Sequence, residues 1–269
     1  MTPTLVPHQP QRARDWAEIQ ERMLVPLYEA VHDRLEVGPQ THLLDLGCGS
    51  GLALLLAAAR GATVTGVEAD GTRLALARER LSPGPGGGRP GWNVTLLRAR
   101  PEDVPLHAPR PTVVTAFDRL PGPGALAGLA ASLDRGTPVV LAGWGPPERC
   151  AAASVLRVAA RIAESPPDGL SPVLAPGSWQ QGGRDDLEVL ARTAGLRLDG
   201  SGRVSCPFGY ADPDSAVRGL LSTGLYDAAL RDADEERVRE EINDALAPHR
   251  RGDGTVWMPN LFRYVVARV

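Results

Sequence analysis

Apolar and polar positions along the chain sort into two kinds of pattern: short apolar runs and longer stretches of helical spacing. From Arg12 to Leu35 the apolar residues Trp16, Ile19, Met23, Leu24, Leu27, Tyr28, Val31 and Leu35 recur every three or four positions. That spacing predicts one or two helices ahead of the first strand. The run through Leu43, Leu44 and Leu46 reads as that strand, and Leu52 to Arg60 as a Leu- and Ala-rich helix closed by Gly61. Thr63 to Val67 is a second strand ending on Glu68, and Asp70 is placed to cap a helix through Leu81. Val94 to Leu97 and Thr112 to Phe117 read as strands three and four, the latter apolar on both faces as parallel strands are.

The second half continues the alternation. A helix through Leu133 leads to a fifth strand that ends in Gly143 and Trp144, followed by a helix from Ala151 to Glu164. Arg184 to Ala194 is a helix capped by Gly195, Arg203 to Pro207 a sixth strand, and Ser215 to Arg231 and Asp234 to Leu246 two amphipathic helices. Leu261 to Val269 closes the chain as a seventh strand. Strands alternating with helices give an α/β chain. Proline and glycine crowd 82–91 and 165–183, which predicts exposed loops, and Met1 to Gln11 carries three prolines and little periodicity.

The stretch Leu43-Leu44-Asp45-Leu46-Gly47-Cys48-Gly49-Ser50-Gly51 joins the first strand to the first helix of this alternation. Glycine tolerates positive φ and, lacking Cβ, lets a ligand approach the backbone closely. A carboxylate, ribose or adenine has room there at the mouth of a helix. Glu68 follows at about 20 residues, where a nucleotide-binding unit needs a carboxylate for ribose hydroxyls. The third glycine comes two residues after the second, one fewer than in the dinucleotide fingerprint, which opposes a dehydrogenase, the nearest rival enzyme.

Leu-Asp-Leu-Gly-Cys-Gly-Ser-Gly followed by Val-Glu resembles motif I and the acidic motif II of the class I S-adenosylmethionine-dependent methyltransferases. The resemblance implies a Rossmann-like domain over 1–269, with a seven-stranded mostly parallel sheet, helices on both faces and an antiparallel last strand. It divides the chain into an N-terminal helical segment (1–41), a cofactor-binding core (42–145) and helical insertions forming a substrate cap (146–183 and 207–258). It implies S-adenosylmethionine as cofactor, S-adenosylhomocysteine as product, and a cofactor site built from Asp45, Gly47, Cys48, Gly49, Gly51, Glu68, Ala69 and Phe117. Where the family carries an aspartate beside the adenine amino group this chain has Arg100; the backbone around Pro101 and Glu102 is then expected to frame the ring. Trp-Gly-Pro-Pro after strand five and the Arg-Tyr-Val-Val-Ala ending look like small-molecule methyltransferases of bacterial specialised metabolism.

In-line methyl transfer requires alignment and a desolvated pocket, with a base only for some acceptors, so no fixed catalytic signature is expected. Candidate bases are His8, His249 and Asp118; candidate acceptor contacts are Trp16, Tyr28, Trp144, Tyr210 and Trp257. Core packing or a solvated position is the competing role for each. A second class of function keeps the fold and drops the transfer, as in a cyclase, a rearrangement enzyme or a noncatalytic partner.

Composition narrows the partners. The 269 residues carry a formal charge of -3, and all 29 basic side chains are arginine. A P-loop lysine and a Schiff base are therefore excluded, and nucleic acid or an anionic membrane gains no general attraction. The expected partner is a small-molecule acceptor. Cys48, Cys150 and Cys206 are too few and too far apart for a disulfide framework or a zinc cluster, no metal is expected, and a reducing cytoplasm fits. The N-terminus lacks a basic segment followed by an apolar core, so neither secretion nor membrane insertion is expected.

Overall fold

A computed structural model of the chain describes residues 9–82, 91–104, 110–117, 119–163 and 185–269. His8, Asp118 and nearly all of the two predicted proline- and glycine-rich loops lie outside the described residues. The N-terminal segment begins with α1 (Gln9–Asp15), widens into a π-turn over Trp16–Gln20, tightens into a 3₁₀ turn over Glu21–Leu24 and resumes as α2 (Val25–Arg34). Pro26 stands in the first turn of α2, where its missing N–H costs nothing, and this favours a restart at that point.

The core then runs β1 (His42–Leu46), α3 (Leu52–Ala59), β2 (Thr63–Glu68), α4 (Gly71–Leu81), β3 (Val94–Arg98), β4 (Val113–Ala116), α5 (Pro123–Ala131) and β5 (Pro138–Trp144). It continues through α6 (Ala152–Ile162), α7 (Asp186–Thr193), β6 (Arg197–Ser205), β7 (Phe208–Tyr210), α8 (Pro213–Ser222), α9 (Asp227–Asp232), α10 (Glu235–Ala245), β8 (Val256–Met258) and β9 (Leu261–Arg268). Seven strands form one sheet in the order β3-β2-β1-β4-β5-β9-β6, parallel from β3 to β5, with β9 antiparallel to both of its neighbours. The last strand thus enters the sheet between the fifth and the sixth. Its inner position explains why Phe262 and Tyr264–Ala267 are all buried.

Side-chain alternation sends β1 residues to opposite layers. Leu43 packs with Leu54, Ala57 and Val64 on the α3 side, whereas Leu44 and Leu46 join Leu126, Leu129 and Leu187 of α5 and α7. A third apolar cluster ties the N-terminal segment to α6, α8, α9, α10 and the antiparallel pair β7–β8.

Three sequence expectations are corrected. Strand six begins at Arg197, six positions ahead of Arg203, and ends at Ser205. As an edge strand paired only to β9, with a bulge between Leu198 and Gly200, it needs no apolar run. The helix expected over Ser215–Arg231 is two helices, because Gly224 turns the chain at φ 80° between α8 and α9. The antiparallel pair β7–β8, three residues per strand, brackets α8, α9 and α10 inside what reads as a helical insertion. Among the described residues no helix is long and apolar enough to cross a membrane.

Candidate active site

The carboxyl ends of β1 and β2 are joined by the glycine turn. Gly47, Gly49 and Gly51 hold φ of 77°, 57° and 81°, a region costly for residues with a Cβ. The N–H groups of Gly47 and Cys48 both donate to the Val67 carbonyl, at 2.8 and 2.9 Å, which sews the turn to the end of β2. A Cβ on Gly49 would stand 3.1 Å from Trp16 Nε1 and 3.3 Å from Glu21 Oε1, so the turn is also contacted from outside the core.

Glu68 ends β2 with its side chain 2% exposed. Its Oε2 accepts the Gly49 N–H at 3.0 Å and its Oε1 the Asp70 N–H at 2.8 Å. An ionised carboxylate offers about four acceptor positions, so two remain for hydroxyl groups. Asp70 caps α4 through the N–H groups of Thr72 and Arg73. Burial alone would raise its carboxyl, but hydrogen bonds from Thr72 and Arg73 outweigh that and hold it below its usual range. Asp45 lies buried one strand over, accepting the Thr115 hydroxyl at 2.7 Å, and so locks β1 to β4 just ahead of the turn. Burial, then the charges of Asp45, Glu68 and Glu21, push the Cys48 thiol well above its ordinary range, which leaves it a packing residue.

Ala69 is exposed immediately after β2, and Arg100, Pro101 and Glu102 form the neighbouring turn after β3, with both charged side chains in solvent. Phe117 follows β4 and is buried edge-on against Tyr28, with ring centroids 4.8 Å apart. Tyr28 is therefore part of the packed interior. Tyr210 is buried too, donating to Gln20 Oε1 at 2.8 Å, and burial raises its hydroxyl far above the ordinary value. Trp144, half-buried at the end of β5, packs on Phe262 at 4.6 Å and Phe208 at 5.5 Å. Trp257 is 39% exposed beneath the Arg251 guanidinium, and His249, its pKa lowered by burial, sits 3.5 Å from the Ser154 hydroxyl on α6.

The N-terminal segment adds residues that sequence reasoning missed. Glu21, 2% exposed, accepts from the Ser50 hydroxyl and from Arg80, each at 2.5 Å, and more weakly from the Leu52 N–H at 3.4 Å. Gly51 has no side chain to cap α3, so Glu21 supplies a cap from another element. Arg80 also donates to the Ser50 and Ala17 carbonyls, while Arg73 lies 4.5 Å over the Trp16 ring and donates to the Ser222 carbonyl. The available signal was modest: Arg73 and Arg80 share the face of α4 that carries Ala77, and Glu21 falls among the buried positions of its segment.

Residues 43–133 match the family model described as a methyltransferase domain. This stretch is a methyltransferase domain. In fold, the chain is similar to a candidate methyltransferase of Bacillus halodurans C-125, which aligns with 90% of this chain and 97% of its own at TM-score 0.56 and 13% identity. Geranyl diphosphate C-methyltransferase of Streptomyces coelicolor A3(2), solved with S-adenosyl-L-homocysteine, aligns over 92% of this chain and 80% of its own, with TM-score 0.50 and 12% identity. The cyclase SpnF aligns over 90% and 80%, with TM-score 0.50 and 16% identity. No curated protein matches the chain in sequence. Methyltransferases of this fold take S-adenosylmethionine as donor, and the methyltransferase domain here has groups that fit it: a positive-φ glycine turn, spare acceptor positions on Glu68 and the backbone edge at Ala69 and Pro101.

Proposed function

We propose that this methyltransferase acts on a small-molecule acceptor and binds its donor across the ends of β1 and β2. The observation that carries this reading is the direct bond between the turn and Glu68, which fixes a carboxylate beside bare main chain. In this arrangement Glu68 receives the ribose hydroxyls, Gly47 and Gly49 leave room for the methionine portion, and Ala69, Pro101 and Glu102 border the adenine. S-adenosylmethionine supplies the chemistry when bound, a methyl group on a positively charged sulfur. The chain supplies alignment and exclusion of water.

For the acceptor, the half-buried Trp144 ring at the end of β5, backed by the buried rings of Phe208 and Phe262, supports a hydrophobic, natural-product-like compound. Asp118, next after Phe117 in the chain, is the proposed base for an acidic acceptor group, since His249 is engaged with Ser154. Cytoplasmic residence fits three free thiols.

Thermal unfolding with added ligands tests the donor. S-adenosylmethionine should raise the melting temperature and NAD should leave it unchanged; the reverse would make the chain a dehydrogenase. Incubation with aromatic and isoprenoid acceptors should then yield S-adenosylhomocysteine. Donor binding with no turnover across the panel would favour the role without transfer.

A further inference from the structure

Partly buried arginines in this chain are matched, with one exception among the described residues. From Arg12 on α1 to Arg268 on β9, each of the others donates to a carboxylate or a main-chain carbonyl. The exception is Arg119. It is partly buried two positions past Phe117, and its guanidinium has neither a hydrogen bond nor an ion pair to any described residue. Withdrawing a cation from water without a partner is unfavourable, so a guanidinium kept in this way is set for an anion that arrives from outside.

Its place in the fold says which anion. A Cβ on Gly47 would stand 3.2 Å from Arg119 Cβ and 3.8 Å from its Cγ, so the stem of the arginine is seated on the first glycine of the turn. The charged end is thereby kept within one side chain's reach of that turn. In the sheet, β4 flanks β1 on the side away from β2, and β5 comes next. Arg119 follows β4, and so leaves the sheet between the proposed donor contacts on β1 and β2 and the half-buried Trp144 ring at the end of β5. Leu120, next in the chain, adds an apolar side chain that is 37% exposed.

We infer that Arg119 is a specificity residue for the acceptor, and that the acceptor carries an anionic group, a carboxylate or a phosphate, on an apolar body. The inference rests on the proposed function and narrows its acceptor to acids. Guanidinium presents paired N–H donors that match either group in a two-bonded fork. The sulfur of the donor is itself positive, so an acceptor anion also offsets the repulsion between that charge and Arg119.

Calorimetric titration of the full-length chain, saturated with S-adenosylhomocysteine, tests this with matched probes. Hydrocinnamate and citronellate are each compared with their primary amides, and benzyl and citronellyl phosphate with the parent alcohols. At least one acid should bind, and its neutral counterpart should bind roughly tenfold more weakly, the loss of a charge-assisted contact. Whichever of carboxylate and phosphate binds more tightly names the acid. Arg119→Gln should remove the preference for acids, and Arg119→Lys should keep part of it, because the charge stays and the fork is lost. S-adenosylhomocysteine itself should bind Arg119→Gln within about twofold of the wild type, since a neutral side chain there costs the donor no contact. Equal binding of acids and neutral partners by the wild type, no binding by any acid, or an acid preference that survives Arg119→Gln would overturn the inference. A selective loss of S-adenosylhomocysteine in Arg119→Gln would also overturn it, by assigning the arginine to the donor. Should Arg119→Gln fail to fold, Arg119→Lys and the wild-type comparison decide. If the wild type does not bind S-adenosylhomocysteine at all, the donor site is wrong and the inference falls with it.

Discussion

Single side chains at this site are placed by contacts that make definite demands. Gly66, in the middle of β2, has Leu54, Cys48 and Leu96 at 2.4, 2.7 and 2.9 Å from the position a Cβ would take. Gly66→Ala should therefore destabilise the fold by about 2–3 kcal/mol through overpacking, read as a lower urea midpoint; a change under about 0.5 kcal/mol would mean that α3 can move away freely. His32 is fully buried beside Phe117, neither ring nitrogen has a hydrogen-bond partner, and burial, then the Arg60 charge, lower its pKa from 6.5 to about 4. A histidine kept neutral in the fold binds its proton more readily when unfolded. Stability is therefore unaffected above about pH 6.5 and is lost as pH falls toward 4, by about 3 kcal/mol in all. His32→Leu should flatten that part of the stability profile; an unchanged slope would reject the assignment.

At the scale of elements, the turn and the N-terminal segment form one unit. The Glu21 carboxylate replaces a missing cap on α3 and matches the charge of Arg80. Arg80→Met leaves that carboxylate buried without its cation and should cost about 2–4 kcal/mol, whereas adding Glu21→Gln should restore part of the loss. Strictly additive losses in a double-mutant cycle would show the two side chains to be uncoupled. The same unit marks where sequence reasoning was sharp and where it was blind. The glycine turn, Glu68 and the Asp70 cap are legible because each function needs a particular residue type at a fixed interval. Glu21 and Arg80 carry no such marker, because their burial depends on a contact between residues 59 positions apart. Strand β6 escaped in its first half for a related reason, since Arg197, Gly200, Ser201 and Gly202 gain their place from pairing with β9 and not from an apolar pattern.

For the whole molecule, the alternation of strands and helices was enough to anticipate an α/β chain, because each parallel crossover demands a helix of its own, and the family resemblance supplied the seven-stranded sheet with its antiparallel last strand. The insertion of β9 between β5 and β6 and the pairing of β7 with β8 were not anticipated, since both are choices of strand partner made at long range. This topology puts every proposed donor contact at the carboxyl ends of neighbouring strands, on either side of β1, where ligands gather in open α/β sheets. Calorimetric titration of S-adenosylhomocysteine into the wild type and into Glu68→Ala tests that arrangement most directly. The wild type should bind, and the variant, with its melting transition intact, should bind about 100-fold more weakly for the loss of two hydroxyl contacts to a carboxylate. Equal affinity in the two proteins would contradict the account, because it would leave the sugar of the donor somewhere other than the end of β2.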